Sequence, residues 1–136
     1  MHTTNYYNAF IEIAEDCPTD KGEIPPQRGE KKSVANLQFE MLYDNPYQYT
    51  SDEVLFGVFA IRKGFIEDEM NEQREHFFSK GQACFRASPL TKRYGWGVHA
   101  NKEGKIAIYR ADSEDYQRFI KDDTLKKMKA MRSKRK

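Results

Sequence analysis

The sequence predicts an α+β fold, with about three central helices packed on a small antiparallel sheet. Three observations lead to this class. Apolar residues recur at helical spacing over residues 33–79, alternate around a turn over residues 96–108, and alternate again over residues 8–14. Because the helical and alternating segments occupy separate parts of the chain, we expect the N-terminal strand to join the C-terminal hairpin in a three-stranded sheet.

The N-terminal strand is predicted over residues 8–14, where Ala9, Ile11 and Ile13 occupy one side. Residues 16–32 follow, with three prolines, two glycines and no apolar period. This composition predicts a 17-residue loop, which is longer than most connections inside a compact domain.

Three helices are predicted in the middle of the chain. The first begins with Ser33 as N-cap and stops before the Asp-Asn-Pro sequence at residues 44–46. The second begins with Thr50 and Glu53, which can form a capping box. Its apolar face is wide, which is typical of a central helix. The third helix is predicted over about residues 66–79, with acidic residues at its start.

A hairpin is predicted in the C-terminal half. A single helical turn starting at Ser88 precedes it, because a proline follows this serine as the first helical residue. The strands then alternate over residues 96–100 and 106–108, with a turn between them. Ser113 caps one more short helix.

The C-terminal segment differs from the rest of the chain in charge. Leu125, Met128 and Met131 lie three residues apart and predict a last amphipathic turn or two. Seven of the 23 basic residues and none of the 21 acidic ones fall in the last eleven positions, so the preceding 125 residues hold 16 basic and 21 acidic side chains, a formal charge of −5. We therefore predict one α+β domain over residues 1–123 and a basic tail over residues 124–136.

The two cysteines predict no disulfide. Cys17 and Cys84 lie far apart and form no CxxC pair, so we expect free thiols in a reducing compartment. The N-terminus has no basic region followed by an apolar one, and no run of about 18 apolar residues occurs. These features predict a cytoplasmic protein without a membrane span.

Common catalytic motifs are missing from the sequence, including GxGxxG, GxxxxGK[ST], GxSxG and HExxH. The spacing of the histidines and cysteines matches no common zinc template. We therefore predict no metal and no cofactor. An enzyme using Cys84 or His99 is kept as an alternative, although a structural, buried Cys84 is favoured because free cysteines are commonly buried.

The densest polar cluster runs over residues 86–99 and predicts a pocket for a phosphate or carboxylate. Its structural alternative is a capped turn with solvated cations, followed by a closely packed strand. The candidate ligand-binding residues are Arg86, Ser88, Lys92, Arg93, Trp96 and His99.

The basic tail supports a second functional hypothesis, a salt-sensitive contact with nucleic acid. The acidic body would repel the same polymer, so a solvated tail, or one folded back on the acidic third helix of its own or a neighbouring chain, is favoured. The candidate nucleic-acid-binding residues are Lys126, Lys127, Lys129, Arg132, Lys134 and Arg135.

Several strings resemble a family of small bacterial proteins known only as a domain of unknown function. They are LQFEMLYDNPY at residues 37–47, YTSD at 49–52, FSKG at 78–81, RASPLTKRYGWG at 86–97 and KAMRSKR at 129–135. The resemblance covers nearly the whole chain and implies a bacterial cytoplasmic setting and a stand-alone domain. It brings no reaction, ligand or catalytic residue.

The leading functional hypothesis is a non-enzymatic binding or interaction module for a small anionic ligand or a protein partner. The absence of assembled catalytic chemistry motivates it. The anion would be held by the cations of residues 86–93, with Trp96 as a stacking wall.

Overall fold

A computed structural model describes residues 2–134 of the chain. It contains five strands and five α-helices, with 3-10 turns at Glu67–Glu69 and Phe85–Ala87. In chain order the elements are β1 (Ala9–Glu12), α1 (Val34–Tyr43), β2 (Tyr49–Thr50), α2 (Ser51–Lys63), α3 (Met70–Phe77), α4 (Pro89–Lys92), β3 (Trp96–Ala100), β4 (Lys105–Arg110), α5 (Glu114–Lys121) and β5 (Lys126–Lys129).

The strands form one mixed sheet in the order β2-β4-β3-β1-β5. All neighbours are antiparallel except β1 and β5, which are parallel. In the centre of the sheet Val98 of β3 lies between Ile11 of β1 and Ile108 of β4. The predicted α+β class is confirmed, and so is the pairing of the N-terminal strand with the hairpin.

The predicted sheet was too small, because β2 and β5 were missed. β2 has only two residues, too few to show any alternation. β5 has the sequence KKMK, in which a single apolar residue is surrounded by charge. Beside the three central helices, α4 and α5 correspond to the predicted turn at Ser88 and the predicted short helix capped by Ser113.

The amphipathic turn predicted beyond residue 124 is wrong, because residues 126–129 form a strand. Lys126 N donates to Asn8 O at 2.9 Å, and Ala130 N donates to Glu12 O at 2.9 Å. A strand alternates with period two, so residues three apart point to opposite faces. Accordingly Leu125 packs with the cluster around Phe10, whereas Met128 packs with the cluster on the other face.

The two faces of the sheet have separate cores. The larger core lies under α1, α2 and α4, and joins sheet residues such as Ile11 and Val98 to Leu42, Val54 and Leu90 of these helices. The smaller core lies under α5 and is built on Phe10 and Tyr116. A third cluster lies between α2 and α3, away from the sheet. Its buried residues are Phe56, Ala60, Phe77 and Phe78.

Helix α2 occupies a central place, as predicted. Its capping box is present, since Thr50 Oγ1 accepts from Glu53 N at 3.2 Å and Glu53 Oε1 accepts from Thr50 N at 2.9 Å. The buried Asp52 in its first turn also holds the N-terminal segment. Its carboxylate accepts three hydrogen bonds of 2.7 Å, from Thr3 Oγ1, Thr4 N and Thr4 Oγ1.

The predicted loop over residues 16–32 is also present, and it is anchored at several points. Glu23 N donates to Tyr94 O at 2.8 Å, and Gly22 N donates to Asp112 Oδ1 at 3.1 Å. These bonds hold the loop against the start of β3 and the end of β4. Among the helices of residues 2–134, none is long and apolar enough to cross a membrane.

Candidate functional site

The residues predicted to bind an anion do not share one surface. Trp96 is only 3 % exposed. Its Nε1 donates to Glu23 O at 2.7 Å, and its ring contacts Phe39 and Tyr43 with centroid distances of 5.3 and 5.7 Å. The indole is therefore a core residue under α1, where it offers no exposed stacking surface.

Two of the predicted residues make structural hydrogen bonds. Ser88 is buried and caps α4, because its Oγ accepts from Leu90 N at 3.1 Å. Arg86 donates from Nε to Lys129 O at 2.7 Å, which ties the 3-10 turn before α4 to β5. Of the other cations, Lys92 is half-buried and Arg93 is exposed.

His99 lies on the opposite face of the sheet from Trp96. Its Nδ1 lies 2.7 Å from the hydroxyl of Tyr47, which lies 2.8 Å from the hydroxyl of Tyr109. Phe119 stacks on the imidazole at a centroid distance of 4.3 Å. Burial lowers the pKa of His99, although the charge of Asp122 opposes this shift. The result is a neutral histidine at neutral pH.

Tyr47 of this cluster is also uncharged. Burial, followed by the hydrogen bond with Tyr109, raises the pKa of Tyr47 far above its usual range. Tyr47 has a positive φ of 60°, which places its side chain beside β4. Sequence reasoning does not detect this cluster, because Tyr47 precedes a strand of only two residues.

A cavity of about 540 Å³ lies between α2, α3 and the segment over residues 82–89. Among the predicted anion-binding residues, Ser88 alone lines it. Most of its wall is apolar. The apolar side chains that form it include Val34, Leu55, Val58, Phe59, Phe77 and Pro89.

The only charged side chains that line this cavity are cationic. Arg62 and Lys63 occupy the last turn of α2 and are exposed. Neither has an ion-pair partner among residues 2–134. Lys63 Nζ lies 5.7 Å from the ring centroid of Phe59, so charge and aromatic wall are adjacent. This edge of the cavity can therefore attract an anion.

Cys84 lines the same cavity, which brings one residue of the enzyme hypothesis into a concave site. Its Sγ accepts a hydrogen bond from the hydroxyl of Tyr6 at 3.0 Å. Burial and this bond raise the pKa of Tyr6 to about 12. The residues lining the cavity include no histidine and no carboxylate, so the thiol has no general base there.

Three of the seven basic side chains of the C-terminal segment are bound to the chain itself. Lys127 Nζ donates to Ile120 O at 3.0 Å and to Asp122 O at 2.8 Å. Lys129 and Arg132 pair with Glu15 at 3.5 and 3.2 Å.

Residues 132–134 of this segment bind the loop after β1, and not the acidic third helix. Ser133 N and Lys134 N donate to the Asp16 carboxylate, and the bond from Lys134 is the main reason that the pKa of Asp16 is lowered. Lys126 is exposed, and Arg135 lies outside the described residues. Nucleic-acid binding by this segment stays a prediction.

A family model described as a family of unknown function (DUF6157) matches residues 1–136, the whole chain. The chain belongs to this family. The predicted resemblance to a family without an assigned function is thereby confirmed. No curated protein and no solved structure matches the chain. Membership of DUF6157 brings no activity with it, so the function must be argued from geometry.

In this DUF6157 chain, sequence reasoning missed the cavity and its two cations. Arg62 and Lys63 form the last turn of α2. The available sequence signal for the cavity was the wide apolar face of α2. In the structure, Leu55 and Phe59 on this face are half-buried and line the cavity with Arg62 and Lys63. No group of three or more His, Cys, Asp or Glu in residues 2–134 could hold a metal ion.

Proposed function

We propose that this protein binds a small organic anion with a large apolar part, in the cavity between α2, α3 and residues 82–89. A single observation carries the proposal. The cavity combines an apolar wall with a charged lining that consists of Arg62 and Lys63. The predicted binding of a small anion is thus kept, and its location moves from the turn before β3 to the end of α2.

The size of the cavity suits a small molecule. Sites for small ligands usually enclose about 300–1,000 Å³ and have mainly apolar walls with a few polar groups. The value of about 540 Å³ falls in this range. A macromolecular partner would instead require a broad surface of about 800 Å² on each side.

The charge distribution favours a carboxylate, sulfonate or phosphate group on the ligand. An anionic group beside the exposed Arg62 and Lys63 would keep part of its hydration, so its desolvation would be small. The apolar part would leave water and contact rings such as Phe59 and Phe77. Medium-chain and aromatic monocarboxylates have this combination.

The lining supports binding without catalysis. Proton transfer needs a titratable group within hydrogen-bond reach of the substrate, and the lining residues offer the Cys84 thiol without a base. The cluster around His99 is on the other face of the sheet and cannot assist it. The binding-module hypothesis is therefore preferred over the enzyme hypothesis.

The experiment is a calorimetric titration of the full chain with octanoate and with 2-naphthoate. We expect binding of both, and at least about tenfold weaker binding by the double variant Arg62→Gln/Lys63→Gln, because two favourable charges are lost. The glutamines keep the long polar side chains and remove only the charge.

The matched control is the double variant Lys102→Gln/Lys121→Gln, which changes the net charge equally at two exposed lysines far from the cavity. Its affinity should equal that of the unmodified protein. Equal weakening in both double variants would show a nonspecific effect of net charge. That outcome, or no binding of either ligand, would refute the proposal.

A further inference from the structure

Gln38 of α1 is the more deeply buried of two buried polar side chains that line the cavity. The residue is 2 % exposed, and it lines the cavity together with Ser88. Its Oε1 accepts a hydrogen bond from Ser88 Oγ at 2.5 Å. Gln38 thus marks the inner end of a cavity whose outer end carries the exposed Arg62 and Lys63.

The hydrogen bonds of Ser88 fix the orientation of the Gln38 amide. Ser88 Oγ already accepts from Leu90 N at 3.1 Å, so its own proton is available for donation. Donation to Gln38 at 2.5 Å requires the amide oxygen at that position. The amide nitrogen, Nε2, is therefore the end of the side chain that points away from Ser88.

The Nε2 atom has no hydrogen-bond partner among residues 2–134. Every fully buried side-chain nitrogen or oxygen in this part of the chain does have a partner. It follows that Nε2 keeps contact with open space, and the open space that Gln38 lines is the cavity. Gln38 thus contributes an unpartnered amide nitrogen to the wall of the cavity.

A free donor at this depth is unfavourable unless something binds to it. Removing an amide from water without a full set of partners destabilises the folded state, and an apolar residue of similar volume would avoid this loss. The neighbouring side chains of the wall, such as Val34 and Val58, are apolar. Gln38 Nε2 is therefore an unpartnered donor beside a wall that is mainly apolar.

We propose that the natural ligand carries a neutral hydrogen-bond acceptor in its apolar part, and that this acceptor binds Gln38 Nε2. This inference rests on the proposed function. The acceptor is neutral because a second charge at the inner end would be buried without a counter-ion, whereas a carbonyl needs only one or two donors. The ligand class is therefore that of monocarboxylates with a keto, ester or amide carbonyl away from the acid group.

The test compares octanoate with a series of oxo-octanoates that carry one keto group at different positions along the chain. Burial of a keto group without a donor weakens binding. Tighter binding of an oxo acid than of octanoate would therefore show that a donor in the cavity meets the keto group. We expect at least one oxo-octanoate to bind about tenfold more tightly than octanoate to the full chain. If every oxo acid binds equally or more weakly while octanoate binds, the inference is refuted and the proposed function stands.

Variants then assign the preference to the amide. Gln38→Met keeps the volume and removes both amide protons, so it should abolish the preference for the oxo acid. Gln117→Met is the matched control, because it makes the same substitution at an exposed glutamine of α5, away from the cavity; the preference should survive. A preference that survives Gln38→Met would overturn the assignment. Failure of all ligands to bind the unmodified protein would refute the proposed function itself.

Because the ligand comparison is made on the unmodified protein, it does not depend on the folding of any variant. The melting temperature of each variant, measured without ligand, shows whether its affinity can be compared. Should Gln38→Met not fold, Gln38→Leu provides a second apolar replacement with the same expected loss of preference.

Discussion

At the scale of single residues, His99 shows how position sets chemistry. The imidazole lies between Phe119 and the hydroxyl of Tyr47, and burial lowers its pKa. Burial disfavours the charged imidazole, because a buried charge loses its hydration. The neutral ring is therefore the form that fits the fold.

This geometry predicts a loss of stability at acid pH. The folded-state pKa of His99 lies below the ordinary value of 6.5. The stability that the neutral ring contributes is therefore fully present above pH 6.5, and it is lost as the pH falls from 6.5 towards the folded-state pKa. We expect the melting temperature to fall over this window. In His99→Gln, whose amide oxygen can still accept from Tyr47, the fall should be smaller.

The measurement is the melting temperature between about pH 5 and pH 8 at constant ionic strength. Carboxylates titrate mainly below this range, and the variant corrects for their remaining contribution. Parallel curves for the two proteins would show that His99 does not titrate differently in the folded and unfolded states.

Gly95 provides a second prediction at this scale. Its φ is +76°, and a Cβ atom there would lie 2.5 Å from Lys21 O, part of the anchored loop. Gly95→Ala should lower the free energy of unfolding by about 2 kcal/mol or more, because backbone strain adds to a clash. Urea unfolding measures this change.

Gly64 is the matched control for that substitution. It has a similar φ of +71°, but a Cβ atom would meet nothing within 4 Å. Gly64→Ala should therefore show only the conformational effect, about 1 kcal/mol. Equal losses in the two variants would mean that the close approach of the loop has no energetic role.

At the scale of elements, the sequence predicts structures that depend on neighbouring residues, and it does not predict those that depend on residues far apart in the chain. The capping box of α2 and the turn that starts at Ser88 depend on residues three or fewer positions apart, and both were predicted correctly. β5 depends on pairing with β1, more than a hundred residues earlier, and its lysines conceal it. The outer edge of β5 is protected by those lysines and by Arg86.

Asp52, at the N-terminus of α2, anchors the N-terminal segment of the chain to this helix. Asp52→Asn should lower the free energy of unfolding by about 1–3 kcal/mol, since an amide cannot accept all the bonds from Thr3 and Thr4. Chemical denaturation gives the value directly.

The neighbouring acidic residue serves as the control for this variant. Glu53→Gln keeps the oxygen that accepts from Thr50 N, so its effect should stay within about 0.5 kcal/mol. A similar loss for both variants would indicate a general charge effect at the helix N-terminus, and not the anchor of the N-terminal segment.

At the scale of the whole molecule, the candidate site forms where segments distant in sequence meet. Its walls come from α1, α2, α3 and residues 82–89, so no single stretch of sequence contains it. The predicted cluster over residues 86–99 was contiguous, and the sheet divides it, placing Trp96 and His99 on opposite faces. The chemical character of each residue can be predicted from the sequence, whereas the sequence does not show which of these residues meet in the folded chain.

The basic C-terminal segment is part of the sheet, because its strand β5 pairs with β1. Deletion of residues 125–136 removes β5 and uncovers the edge of β1, so we expect loss of cooperative unfolding and aggregation. Deletion of residues 131–136 keeps β5 and should leave a cooperative transition with a small decrease in melting temperature. Thermal unfolding and size-exclusion chromatography distinguish the two. A folded, monodisperse protein after the longer deletion would contradict the structural role of β5.

The parallel pairing of β1 with β5 also affects biosynthesis. β1 is the first of the five strands to leave the ribosome and β5 is the last. Until β5 has been synthesised, the nascent chain exposes the edge of β1 with which β5 will pair. This interval is when chaperones would be most needed, and slow translation of the second half of the message would lengthen the exposure.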